Sequence, residues 1–236
     1  MLVQIGDVLD RGDEELELLE LLRALKQEAR AKGGRVITLL GNHEILNAAG
    51  VEIYASPRSA AKFVDGDGRS FRPGTPLAAE LATWPIACVV GDTAFIHAGL
   101  TVQAAREIDT TNAAAAQWIS RGDDAGPPPQ MLWPTSALSP RSPLWMRDLS
   151  SPPDVEPSAS ACGELEQALA VLGAKRLIVG HTVQSTINGA CGALSGARGG
   201  GPAVWRVDVG MSAAMGGGTP QALELLGDGR VREITV

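Results

Sequence analysis

The chain contains three histidines, and each falls in a short block beside glycine: Gly41-Asn42-His43-Glu44, His97-Ala98-Gly99 and Gly180-His181-Thr182. A fourth block, Gly6-Asp7-Val8-Leu9-Asp10-Arg11-Gly12, precedes them, and all four follow or close an apolar run of strand length. Asp7, Asn42, His97 and His181 offer carboxylate, amide oxygen and imidazole, hard and borderline donors that suit Mn, Fe or Zn better than a thiolate site for copper. Asp7 has two oxygens and can bridge two ions. Arg11 carries a planar fork of donors fitted to two phosphate oxygens at once. His43, next to Asn42, is placed to act as a general acid, with Asp10 to orient its ring. Hydrolysis of a phosphate ester needs charge neutralisation, a hydroxide near neutral pH and a proton for the leaving oxygen, and two metal ions about 3.5–4 Å apart supply the first two. The chain has no Gly-x-Ser-x-Gly elbow and no Cys-x5-Arg loop. Attack by metal-activated water is therefore the simpler route. Glu44 reads as structural, holding the loop by hydrogen bonds.

These side chains need elements to gather them. Residues 2–5 read as a buried strand that delivers Asp7 to a loop. Residues 13–32 read as a helix with Leu18, Leu22, Leu25 and Ala29 on one face, acidic residues in its first turn and Gly33-Gly34 as its stop. The Glu run at 14–20 reads as a solvated face. Residues 35–40 form a second strand that ends at Gly41, so the spacing predicts a parallel β-α-β unit. A helix is expected at 75–84, two strands at 86–90 and 93–97 around the Gly91-Asp92 turn, and helix over 101–120. A helix at 164–172 and a strand at 175–179 lead to the last block. The strands at 203–209, 222–226 and 231–236 are expected to complete a second sheet, with a loop over 192–202. Residues 47–72, including Asp65-Gly66-Asp67-Gly68, mix helical pieces with turns and take no assigned role. Nine of the fifteen prolines lie between residues 121 and 163, which makes 121–161 a surface excursion, within which 143–149 is apolar enough to dock onto the domain and bring Arg147 with it. Trp145 and Trp205 read as packing residues.

At 236 residues with 44% hydrophobic content, the chain suits one domain spanning 1–236. A net charge of −7 gives no cationic field for nucleic acid. Cys88, Cys162 and Cys191 are odd in number and widely spaced, so neither a disulfide framework nor a thiolate metal site is expected, and all three read as inert. With no apolar run of about 20 residues, no membrane span is expected. The expectation is a soluble protein of a reducing compartment, cytoplasmic or organellar.

In order, Gly-Asp-x-x-Asp-Arg-Gly, Gly-Asn-His-Glu, His-Ala-Gly and Gly-His-Thr resemble the blocks of the calcineurin-like metallophosphoesterase superfamily, and the Asp-Arg-Gly ending resembles its phosphoprotein phosphatase branch. The segments Leu144-Trp145-Met146-Arg147-Asp148-Leu149 and Trp205-Arg206-Val207-Asp208-Val209-Gly210-Met211-Ser212 are similar to the Shewanella-like protein phosphatases. The resemblance implies an α/β fold, a β-sandwich flanked by helices, with the site at the C-terminal ends of the strands. It implies Asp7 bridging two divalent metals, Asn42, His97 and His181 completing the second metal site, His43 as proton donor paired with Asp10, and Arg11 and Arg147 as phosphate-binding residues. It further implies a phosphorylated protein as substrate, and organellar relatives in plants and algae, chloroplast included.

The family's opening Gly-Asp-x-His-Gly block, which supplies an Asp and a His to the first metal, has no counterpart here, and the chain starts at Met1 inside a strand. The expectation is a fold lacking its first strand, with Asp7 alone left for the first metal. Two rivals to the phosphoprotein phosphatase stand beside it: a small-molecule phosphoesterase resembling dinucleoside polyphosphate hydrolases, and an inactive metal- or phosphopeptide-binding remnant.

Overall fold

The computed structural model describes residues 1–63, 71–121, 126–133, 141–192 and 201–235. Asp65-Gly66-Asp67-Gly68, most of the loop at 192–202 and parts of the 121–161 segment lie outside the described residues.

The expected β-α-β unit forms from β1 (Leu2–Gln4), α1 (Glu15–Ala31) and β2 (Val36–Thr38), with β1 and β2 paired in parallel, but β1 is not the buried strand expected: Leu2 is exposed and Val3 and Gln4 are half-buried. The buried face of α1 is not the expected stripe. Leu18 is 44% exposed, while Glu15, Leu19 and Leu22 are buried, so the stripe is turned by one residue and carries a carboxylate inward. The Glu run is thus a solvated face except at Glu15.

Next come α2 (Asn42–Ala48), α3 (Pro57–Ala60), α4 (Pro76–Leu81), β3 (Ala87–Val90) and β4 (Thr93–Ile96). The helix expected over 101–120 divides into α5 (Val102–Arg106), capped by the Thr101 hydroxyl, and α6 (Ile108–Ser120). α7 (Ala159–Leu172) starts earlier than its apolar pattern suggests because the Ser158 hydroxyl accepts from the Ala161 N–H, and it ends at Gly173 with φ 65°. The remaining strands are β5 (Arg176–Val179), β6 (Asn188–Ala190), β7 (Val204–Arg206), β8 (Gln221–Leu225) and β9 (Val231–Thr235).

One mixed sheet has the order β3-β4-β5-β7-β6, in which β4, β5 and β7 run parallel and β3 and β6 are antiparallel edges. This corrects the expected second sheet: β7 belongs to the central sheet, and only β8 and β9 pair with each other as a hairpin. Every residue of β4 is buried, as expected for a strand covered on both faces. One face packs Ala94, Ile96, Leu177 and Val204 against α5 and α7. On the other, Phe95 and Ile178 meet Leu39, with Val3, Ile37, Leu223 and Leu225 packed around them, so the β1-β2 and β8-β9 pairs form the second layer of a sandwich. A third cluster joins α1, α2, α4 and α6 through Leu19, Ile45, Leu81 and Trp118.

Within the proline-rich segment, residues 143–149 dock as expected: Leu144, Met146 and Leu149 are buried, and the Pro143 carbonyl accepts from the Ala98 and Gly99 N–H groups. One further expectation changes. Cys162 and Cys191 form a disulfide, leaving Cys88 free. Twenty-nine residues separate the pair in sequence, so only the fold brings them together, joining α7 to the end of β6. The argument from unpaired cysteines to a reducing compartment therefore lapses. Among the described residues, no helix is long and apolar enough to cross a membrane.

Candidate active site

Parallel strands bring their C-terminal ends to one edge of a sheet. β4 ends at His97 and β5 at Gly180-His181, and the Gly180 N–H donates to the His97 carbonyl at 2.8 Å. The second layer is tied to this edge by the His97 ring itself, whose Nδ1 donates to the Ile5 carbonyl at 2.8 Å. That bond leaves Nε2 with its lone pair, 3.0 Å from Asn42 Oδ1, 3.2 Å from His181 Nδ1 and 3.3 Å from Asp7 Oδ2. Gly6 and Gly41 permit this closeness: a Cβ on Gly6, at φ +94°, would lie 2.5 Å from the Gly41 nitrogen, and one on Gly41 would lie 2.3 Å from Asp7 Oδ1.

Glu44 fixes the first loop. Its Oε1 accepts from Val8 and Leu9 N–H at 2.8 and 3.0 Å, and its Oε2 from Asp7 and Gly41 N–H at 2.9 and 2.7 Å. Burial and the Asp7 charge still hold its carboxyl above the usual value. Burial also works to raise Asp7, but His97, His43 and His181 outweigh it and hold Asp7 well below the ordinary carboxylate range. Burial works to lower His97, and Asp7 outweighs it, so His97 is raised. His181, pushed down to about 3 by burial and by His97 and Arg147, is neutral at physiological pH.

The donors fit a divalent ion. One carboxylate, one amide oxygen and two imidazole nitrogens converge, and the Ile5 carbonyl fixes the tautomer that ligation needs. For a second ion, no other His, Cys, Asp or Glu among the described residues joins Asp7, His97 and His181 in this cluster. Glu156 lies against Cys162 and Cys191, but both sulfurs are in the disulfide.

His43 and Asp10 form a buried pair next to Asp7, with His43 Nδ1 2.7 Å from Asp10 Oδ2 and the His43 N–H donating to Asp7 Oδ1 at 3.2 Å. Asn47, which the sequence left without a role, donates to Asp10 Oδ2 at 3.0 Å and to the His43 carbonyl at 2.8 Å. Its place four residues after His43, one helical turn on, was the available signal. Glu15 accepts from the Asp10 N–H and from the Ser59 hydroxyl. Arg11 is exposed on the same loop, and Arg147 Nη1 donates to Thr182 Oγ1 at 3.0 Å and to the His181 carbonyl at 3.3 Å. Asp208 accepts from the Gly210 N–H at 3.0 Å, a turn contact. Asp7, Asn42, His97 and His181 thus come together, the His43–Asp10 pair joins them through the His43 N–H to Asp7 Oδ1 at 3.2 Å, Arg147 contacts the His181 loop, and Arg11 lies against Tyr54 and Met215.

Residues 1–185 match the family model described as calcineurin-like phosphoesterase. The chain belongs to that family. Among curated relatives of this calcineurin-like phosphoesterase, Shewanella-like protein phosphatase 2 of Arabidopsis thaliana is 31% identical over 283 residues, covering 100% of this chain and 68% of the relative. Shewanella-like protein phosphatase 1 of Plasmodium berghei is 32% identical over 191 residues, covering 78% of this chain but 51% of the relative. Among solved structures, the cold-active protein-tyrosine phosphatase of a psychrophilic Shewanella species matches with a TM-score of 0.71 at 24% identity, over 98% of this chain and 68% of that one. A protein serine/threonine phosphatase from Saccharomyces cerevisiae matches at a TM-score of 0.59 and 16% identity. These likenesses bear out the α/β sandwich fold expected from the sequence, and the family implies divalent metal cofactors.

Proposed function

We propose that the chain is a metal-dependent phosphoprotein phosphatase that hydrolyses phosphate monoesters. The observation that carries the reading is the convergence of Asp7, Asn42, His97 and His181 beside the buried His43–Asp10 pair. Asp7, Asn42, His97 and His181 would hold the metal, with Asp7 shared toward a second ion; Mn, Fe and Zn all suit these donors. When bound, the metal supplies positive charge to the phosphoryl oxygens and acidifies a water to a nucleophile.

Arg11 and Arg147 would pair with the phosphate oxygens through their planar forks of donors. Asp10 accepts from His43 Nδ1 and keeps the imidazole in one orientation, which leaves Nε2 as the nitrogen that delivers a proton to the leaving alkoxide or phenoxide. Asn47 and Glu15 keep Asp10 in place. The names of the two Shewanella-like relatives support a phosphorylated protein as the substrate.

A second reading, binding without turnover, rests on one observation: the described residues offer Asp7 alone for a second ion. A panel of phosphoserine, phosphothreonine and phosphotyrosine peptides and a dinucleoside polyphosphate, assayed with and without Mn(II), separates the readings. The account expects Mn-dependent release of phosphate from a peptide. Cleavage of the dinucleotide alone would assign a small-molecule enzyme, and tight peptide binding without release would assign the remnant.

A further inference from the structure

We propose that Tyr54 is a positioning residue of this site, whose ring fixes the Arg11 guanidinium and the His43 imidazole relative to each other. The inference rests on the phosphatase reading above. It gives a role to a segment whose sequence shows no chemistry-bearing block.

The loop that carries Arg11 does not hold its own shape. Asp10 and Arg11 adopt φ 73° and 64°, left-handed conformations that side chains with a Cβ disfavour and that persist only when surrounding structure imposes them. Tyr54 supplies part of that structure from its backbone: its carbonyl accepts from the Arg11 N–H at 2.9 Å. Its side chain acts on both functional groups. The Tyr54 ring centroid lies 5.4 Å from Arg11 Cζ and 5.0 Å from the His43 ring, edge to face at 61°. Arg11 Nη1 also donates to Met215 Sδ at 3.1 Å.

Held this way, Arg11 is gripped by a ring and a thioether, and among the described residues no carboxylate lies within ion-pair distance of it. A carboxylate partner would compete with phosphate for the guanidinium, whereas an aromatic face orients it and leaves its remaining N–H donors for an anion. Burial does not account for the ring's position, since Tyr54 is 43% exposed and its neighbour Ile53 is 75% exposed. The ring lies between the exposed Arg11 and the buried His43 and contacts both.

The test compares wild type, Tyr54→Ala, Tyr54→Phe, Arg11→Ala and the Tyr54→Ala/Arg11→Ala double variant in Mn(II)-dependent hydrolysis of p-nitrophenyl phosphate, with the inhibition constant of inorganic phosphate as a second readout. Tyr54→Ala is expected to lower kcat/KM roughly 10- to 100-fold, weakening phosphate inhibition and raising KM through Arg11 and lowering kcat through His43. Tyr54→Phe, which keeps the ring, is expected to remain within about twofold of wild type. In the Arg11→Ala background, Tyr54→Ala is expected to leave KM and phosphate inhibition unchanged, because the group it acts through is gone. Tyr54→Ala with wild-type kinetics, Tyr54→Phe as impaired as Tyr54→Ala, or full additivity with Arg11→Ala would each overturn the inference while leaving the phosphatase reading intact. Absence of hydrolysis by the wild type would overturn that reading and this inference with it.

Discussion

His43 Nδ1 lies 2.7 Å from Asp10 Oδ2, and both side chains are at most 2% exposed. A histidine placed this way has one nitrogen committed to the carboxylate and one left for chemistry. Replacing Asp10 with Asn keeps the shape and removes the charge. We expect Asp10→Asn to lower kcat by about 10²-fold with KM little changed, the signature of a lost contribution to proton transfer. Steady-state kinetics on p-nitrophenyl phosphate reads the split, and a KM effect alone would place Asp10 in substrate binding instead.

Glu44 satisfies four backbone N–H groups that come from two separate segments, residues 7–9 and Gly41. Glu44→Ala leaves these donors without their acceptor at a site that is 0% exposed. The expected cost is about 3–5 kcal/mol, or a fall in Tm of roughly 6–20 °C, measured by thermal denaturation. A shift within 2 °C of wild type, about the effect of less than 1 kcal/mol, would contradict this assignment.

The Cys162–Cys191 bond closes a loop across 29 residues of sequence separation. By loop-closure entropy its reduction costs about 3–4 kcal/mol. Thermal melts with and without a dithiol reductant should differ accordingly, and the Cys162→Ser variant should melt like the reduced protein and be indifferent to the reductant.

Cys88 answers to a different measurement. Burial pushes its thiol up to about 11, so the neutral form dominates throughout the physiological range. Raising pH from 8 to 9 should increase its alkylation by iodoacetamide nearly tenfold, because the thiolate fraction is still far from saturation. A rise of only about three- to sixfold would indicate a thiol of ordinary acidity.

The site blocks were legible in the sequence because each closes an apolar run of strand length: β4 and β5, before His97 and His181, are largely buried, while β1 and β2, before Asp7 and Asn42, are apolar but only partly buried. Sheet membership was not legible. The apolar pattern of β7 shows that it is a strand, but only pairing with β5 and β6 shows which layer holds it. Glu15 was hidden in a run of surface glutamates, since nothing local distinguishes the one that turns inward to brace Asp10. The disulfide was hidden for a related reason: spacing along the chain does not encode the 5.4 Å Cα separation that the fold creates. Asp7, Asp10, Arg11 and His181 all have positive φ, a conformation that none of these residue types announces in sequence.

The division of labour between His97 and His43 is the centre of the account, and one paired measurement tests it. The Mn(II)-induced rise in Tm and the Mn(II)-dependent turnover of p-nitrophenyl phosphate are measured on wild type, His97→Ala and His43→Ala. Wild type should show both, and His97→Ala should lose both. His43→Ala should keep the thermal shift while losing about 10²- to 10⁴-fold in turnover. Turnover retained by His97→Ala, or a thermal shift lost in His43→Ala, would contradict the assignment of one histidine to the metal and the other to the proton.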